Sequence, residues 1–190
     1  MNPIIDTLVD IRDGNQYELI RINDQWWFNE NLRYQSEGAV AFQNEEHKVE
    51  QRGFLYPYSE SKSVCPTGWK LPTVSEYDDL LDYLAGTSTL GLWSTPIEWD
   101  GPVFCIQGFR FQQTGYQHKR RFKAPDSMNF WLDDQVPGHH VHIYLERSKK
   151  VNPPMLLFHH EHERRKPIIG KRSFAVRCVC SVEEEKKSPY

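Results

Sequence analysis

Apolar and polar positions alternate over short distances along most of this chain, and one stretch alone keeps a long helical period. Between Leu71-Pro72 and Gly86, apolar residues recur at Val74, Tyr77, Leu80, Leu81 and Leu84. Asp78, Asp79 and Asp82 fall mainly on the other side, which makes one apolar face. Thr73 precedes the run and Glu76 follows three residues later, the spacing of a reciprocal capping box. The pattern predicts a helix over 74–85, with Gly86 placed to end it in a left-handed cap.

The remaining periodicity is that of strands. Tyr17, Leu19, Ile20 and Ile22 lie in a β-prone stretch after an Asp13-Gly14 turn signal. Asn23-Asp24 is a second turn signal, and Trp26, Trp27 and Phe28 follow, so a hairpin centred on residue 24 is expected. Residues 35–52 read as loop with short structure, and Phe54-Leu55-Tyr56 as a brief strand. Beyond Gly86 the apolar runs are Val103–Ile106, Gly108–Phe111, Asn129–Leu132, Val141–Leu145, Met155–Phe158 and Phe174–Val179. Alternation at Val141, Ile143 and Leu145, and at Phe174, Val176 and Cys178, fits half-buried strands. The fold class is α+β, with one good helix, short antiparallel strands and long loops. A single domain over 1–182 is expected, followed by a charged flexible tail at 183–190.

Composition narrows the class. The chain has 190 residues, enough for one domain with its own core. Aromatics make up 13%, too many for a disordered chain. A net charge of −3 argues against generic nucleic-acid binding. No apolar run reaches the ~20 residues of a membrane span. Met1 to Asp10 is short and acidic and does not read as a signal peptide, so the chain reads as a soluble domain.

Four blocks carry a family likeness. They are Asp13-Gly14-Asn15-Gln16-Tyr17 through Trp26 and Asn29-Glu30-Asn31-Leu32; Gly53-Phe54-Leu55-Tyr56; Cys65-Pro66-Thr67-Gly68-Trp69-Lys70-Leu71-Pro72-Thr73 with the helix behind it; and Phe174-Ala175-Val176-Arg177-Cys178-Val179. In this order they resemble the Fibrobacter succinogenes major paralogous domain family. Lys70 stands where that family usually has His, and Tyr77 where it often has Trp. The resemblance implies a variant of the C-type lectin-like fold, with neighbouring N- and C-terminal strands. It also implies an exported or surface setting in Bacteroidetes and Fibrobacteres, and it names no activity.

Candidate chemistry follows. Cys65, Cys105, Cys178 and Cys180 permit two disulfides in three pairings, or four thiols. The resemblance favours Cys65–Cys178, with Cys105 and Cys180 left for a second bond. The spacing lacks the paired knuckles of a zinc site. Histidines cluster as His139, His140 and His142 and as His159, His160 and His162. On two adjacent strands, His140, His142, His160 and His162 form a candidate set for Zn²⁺, Cu²⁺ or Ni²⁺, with Glu161 or Glu163 completing it. The calcium-loop tripeptides of sugar-binding relatives in the wider fold are absent. Trp131-Leu132-Asp133-Asp134, with Asp126 nearby, reads instead as a polar turn after a buried tryptophan. The basic runs His118-Lys119-Arg120-Arg121 and Arg164-Arg165-Lys166 read as solvated loop tips. No cofactor is expected.

The leading expectation is a non-catalytic recognition module. Loops within 86–171 would bind a protein or glycan partner, using Trp93, Trp99, Tyr116 and Tyr144 as contact aromatics. The alternatives are a metal- or cysteine-dependent enzyme built on the clustered histidines, and a structural component of a surface or phage-like assembly.

Overall fold

The structure is a computed structural model that describes residues 4–85, 98–100, 103–123, 128–133, 141–147, 156–162 and 172–182. Its strands are β1 (Ile4–Val9), β2 (Gln16–Ile22), β3 (Gln25–Phe28), β4 (Val40–Ala41), β5 (Phe54–Pro57), β6 (Glu98–Asp100) and β7 (Val103–Ile106). They continue with β8 (Phe109–Gln112), β9 (Tyr116–His118), β10 (Arg121–Lys123), β11 (Val141–Arg147), β12 (Leu156–His162), β13 (Arg172–Phe174) and β14 (Val179–Ser181). The helices are α1 (Val49–Arg52), α2 (Tyr58–Ser61) and α3 (Val74–Ala85), with two single 3₁₀ turns ahead of α1.

Mixed, mostly antiparallel strands with few helices agree with the expected α+β class. The strands form a four-stranded sheet in the order β1-β2-β3-β14 and a five-stranded sheet in the order β10-β9-β13-β5-β4. A three-stranded sheet, β6-β7-β8, and a two-stranded ribbon, β11-β12, complete the described topology. The β2–β3 hairpin turns at Asn23, whose φ of 53° is the left-handed geometry a tight turn requires. β14 returns beside β3, so the two ends of the matched blocks are neighbours in one sheet.

Helix α3 occupies the predicted span. Its start is the reciprocal cap: the Glu76 amide donates to Thr73 Oγ1 at 3.2 Å, and the Thr73 amide to Glu76 Oε2 at 2.7 Å. Tyr77, Leu80, Leu81 and Leu84 are buried, and Asp78, Asp79 and Asp82 are exposed. Gly86 and the 183–190 tail lie outside the described residues.

The register of the four-stranded sheet explains its two-sided core. Ile20 pairs with Trp27 and Leu19 with Phe28, and cross-strand partners share a face. Ile20, Ile22 and Trp27 pack with α3 and with Ile106, Phe109 and Phe130. Leu19, Tyr17, Trp26 and Phe28 pack on the other side with Tyr56, Trp69, Trp131 and Phe174. Each large side chain so buried stabilises by roughly 1.5–3 kcal/mol before entropy is counted.

Two strand expectations need correction. Phe174–Val179 is not one half-buried strand: residues 173–180 are buried without alternation. The chain leaves the five-stranded sheet after β13 and enters the four-stranded sheet at β14, crossing the interior between them. Its polar groups are met on the way, with Leu32 N donating to Val176 O at 2.9 Å and Phe28 N to Cys178 O at 3.0 Å. Asn129–Leu132 forms only a bridge, Phe130 to Ala175, because it pairs with this crossing segment rather than with a full strand.

A disulfide joins Cys65 to Cys178, 113 residues apart, and anchors the crossing segment to the approach to α3. Cys105 and Cys180 are thiols. They lie in β7 and β14, strands of different sheets. Closure of so long a loop restricts the unfolded chain strongly, so Cys178→Ser is expected to cost about 2–5 kcal/mol. Urea unfolding of oxidised wild type and variant checks this; coincident midpoints would refute it.

A polar cleft between two sheets

The segment after β3, Asn29-Glu30-Asn31-Leu32, leaves the sheet edge, and its polar side chains turn inward. Asn29 Oδ1 accepts the Arg110 amide at 2.8 Å, while its Nδ2 donates to Glu18 Oε1 at 2.6 Å and to Gly108 O at 2.9 Å. It therefore clamps the β7–β8 turn onto β2. The Asn31 amide donates to Gln112 Oε1 at 2.6 Å, and its Nδ2 to Arg52 O at 2.9 Å. Gly53, at φ 71°, follows at a point where a Cβ would sit 2.8 Å from Leu32 O, so only glycine fits.

At the centre lies Arg177, which is 0% exposed. Its guanidinium donates to Arg110 O at 2.5 Å and to Asn31 Oδ1 at 2.9 Å. The Phe109 and Phe130 rings lie 4.8 and 5.4 Å from its central carbon. Among the described residues no carboxylate pairs with it, and its Nε has no hydrogen-bond partner. Burial pushes its pKa down to about 10, so it stays a cation at neutral pH.

Where this network meets solvent, residues of the β1–β2 pair and of the β7–β8 strands line a common opening. The apolar inner end is filled by core; the open end is a cleft of about 650 Å³. Thr7 and Glu18, register partners on β1 and β2, form one wall, and Val103, Arg110 and Gln112 the other. Glu30 and Arg33 form the floor. Glu30 accepts the Glu18 amide at 2.9 Å and pairs with the Arg33 guanidinium. The Arg33 side chain is 7% exposed, donates to Gln16 O at 2.6 Å and stands 4.8 Å over the Tyr17 ring. Its Nε is buried with no hydrogen-bond partner among the described residues; Glu50 lies 3.5 Å away. The backbone of Arg110 is held on both sides, by Asn29 and Arg177, whereas its side chain makes no ion pair among the described residues. The cleft thus offers acceptors and donors of both signs, from strands and from the segment after β3, suited to a polar ligand with several hydrogen-bonding groups.

The residues singled out by sequence lie on other elements where they are described. Tyr116 is half-buried on β9, its ring 5.7 Å from Phe174 and 5.6 Å from the Arg172 guanidinium carbon. Trp99 sits on β6 opposite Phe104, and Tyr144 on β11 opposite His159. Trp93, His140, Asp126, Glu163 and the 164–166 basic run lie outside the described residues. In the ribbon, His142 stands opposite Glu161, His160 opposite Ile143 and His162 opposite Val141. Asp133 is paired with Lys62 at 2.7 Å beside a fully buried Trp131, whose Nε1 donates to Tyr56 O at 2.6 Å. Lys119, at φ 52°, is exposed at the tip of the β9–β10 hairpin. Sequence reading did not single out Glu18, Arg33 or Arg110. The available signal was Arg177, a cation inside an otherwise apolar run, which must find partners at that depth.

Residues 20–180 match the family model described as Fibrobacter succinogenes major domain. No curated protein and no solved structure matches the chain. No helix among the described residues is long and apolar enough to cross a membrane.

Two outcomes follow from the buried groups. Removing the guanidinium leaves Asn31 Oδ1 and Arg110 O unpaired, so Arg177→Ala is expected to lose about 3–5 kcal/mol. Chemical denaturation checks this, and a loss under about 1 kcal/mol would show that the contacts contribute nothing net. Burial also raises the phenols of Tyr17, Tyr56 and Tyr77. Their contribution to stability is complete below the unfolded phenol pKa of about 10 and is lost as pH rises toward their folded values. Arg177 works with the opposite sign but is one group against three. Absorbance at 295 nm is expected to show these tyrosines ionising only as the circular dichroism of the fold disappears; full ionisation near pH 10 with the fold intact would contradict it.

Proposed function

We propose that this chain, which belongs to the Fibrobacter succinogenes major domain family, is a non-catalytic recognition module on a C-type lectin-like scaffold. It binds a protein or glycan partner through segment 86–171, with the cleft as its polar subsite. The observation that carries this reading is the cleft itself: strand β8 of the segment supplies Arg110 to a site whose other wall and floor are Thr7, Glu18, Glu30 and Arg33. The C-terminal strand β14 lies beside β3 of the N-terminal hairpin, which supports the scaffold. Carboxylate, amide and guanidinium groups together suit vicinal hydroxyls or a polar peptide. The alternative of an assembly component draws support from β1, a sheet edge that exposes Ile4, Ile5 and Val9, with Ile11 exposed just beyond it.

A glycan array, run with calcium and again with a chelator, tests the reading. Selective binding is expected, reduced at least tenfold by Arg110→Ala with unfolding unchanged. Alanine at Trp93, Trp99 and Tyr116 tests the contact aromatics in the same assay. Binding that ignores Arg110 would remove the cleft from the proposal. A blank array on folded protein would leave a protein partner, sought by pull-down, or an assembly role, seen as a defined oligomer.

A further inference from the structure

The charged side chains of the cleft have partners among the described residues, with one exception. Arg33 is spent on Glu30 and on Gln16 O. Gln112 is engaged at both ends, its Oε1 accepting the Asn31 amide and its Nε2 donating to Gln51 O at 2.9 Å. Glu18 takes a single side-chain bond, from Asn29 Nδ2, which leaves it further acceptor capacity. The exception is Arg110. It is half-buried in the cleft wall, and its guanidinium has neither an ion pair nor a hydrogen bond among the described residues. Asn29 holds its amide and Arg177 its carbonyl, so this free cation leaves the strand from a fixed point.

We propose that the cleft binds a carboxylated sugar of the uronic-acid class, with Arg110 as the residue that selects the acid. The inference rests on the recognition reading above and narrows its ligand. A guanidinium presents a planar fork of donors that matches a carboxylate in two parallel bonds. The opposite wall carries Thr7, which donates and accepts, and Glu18, which accepts only. A ligand spanning the two walls therefore needs an anion at one end and hydroxyl donors at the other. A uronate carries both on one ring. An extended peptide offers one amide donor per residue and fills an acceptor-lined wall poorly. Ile5, which is 47% exposed, and Val103 line the same cleft and give a sugar ring apolar surface for its C–H face. The volume of about 650 Å³ falls within the usual range for small-ligand sites.

The test is calorimetry of the full chain with an oligogalacturonate and with the same oligosaccharide after its carboxyl groups are reduced to alcohols. The acid form is expected to bind at least tenfold more tightly, and its affinity to fall as salt rises. Arg110→Ala is expected to abolish the preference while leaving the urea midpoint unchanged, and Arg110→Lys to restore only part of it, because an ammonium cannot bind in parallel. Glu18→Gln is expected to weaken both forms alike, since it faces the hydroxyls. Equal affinity for the acid and reduced forms would overturn the inference and leave glycan recognition standing. An Arg110→Ala variant that keeps the preference would overturn it too, as would tighter binding of an acidic peptide than of the uronate. No binding of either sugar, together with a blank glycan array, would remove the glycan reading as well.

Discussion

Arg177 holds a full positive charge at a depth where none of it reaches water, midway along a segment that crosses from the five-stranded to the four-stranded sheet. Its hydrogen bonds reach Asn31 after β3 and Arg110 in β8, and Phe109 and Phe130 stand against its guanidinium. Desolvating a guanidinium costs several kcal/mol. Two hydrogen bonds from a charged donor return roughly 1.5–3 kcal/mol each, and two ring contacts add to this. The balance is near zero, so the value of the arrangement lies in position. Satisfying the charge fixes the asparagine segment, β8 and the crossing segment relative to one another.

That placement makes the cleft. Asn29 holds Gly108 and Arg110 beside Glu18, which sets the β7–β8 strands against β1 and β2. The space between them is apolar where Ile20, Ile106 and Phe109 fill it and polar where Glu18, Arg33 and Arg110 line it. The disulfide serves the same arrangement from the other end, since Cys178 is the residue after Arg177 and Cys65 lies ahead of α3. Framework and cleft are thus one polar network, buried at one end and open at the other.

Local features are legible in the sequence wherever a short-range rule governs them. The helix over 74–85 and its Thr73–Glu76 cap follow from a 3.6-residue period and a three-residue spacing. The β2–β3 turn follows from Asn23-Asp24. Strand β1 leaves no clear pattern, because its apolar residues are mostly exposed and an aspartate and a threonine interrupt them. The crossing segment looks half-buried because Phe174, Val176 and Cys178 alternate; the intervening Ala175 and Arg177 are buried too, one by smallness and one by its partners. Alternation reports a face only when one face meets water. Glu18, Arg33 and Arg110 carry no local mark at all, since each is an ordinary charged residue until the sheets bring them to one opening.

The sequence by itself determined the α+β class, the family, the helix and its cap, and the turn residues, because each depends on neighbours a few positions apart. Tertiary structure alone decided which strands share a sheet, that Glu18, Arg33 and Arg110 face one cleft, and that His142 stands opposite Glu161 in the ribbon while His160 stands opposite Ile143. These depend on register and on long loops closing. A shift of one residue exchanges the two faces of a strand, and no local pattern encodes that choice.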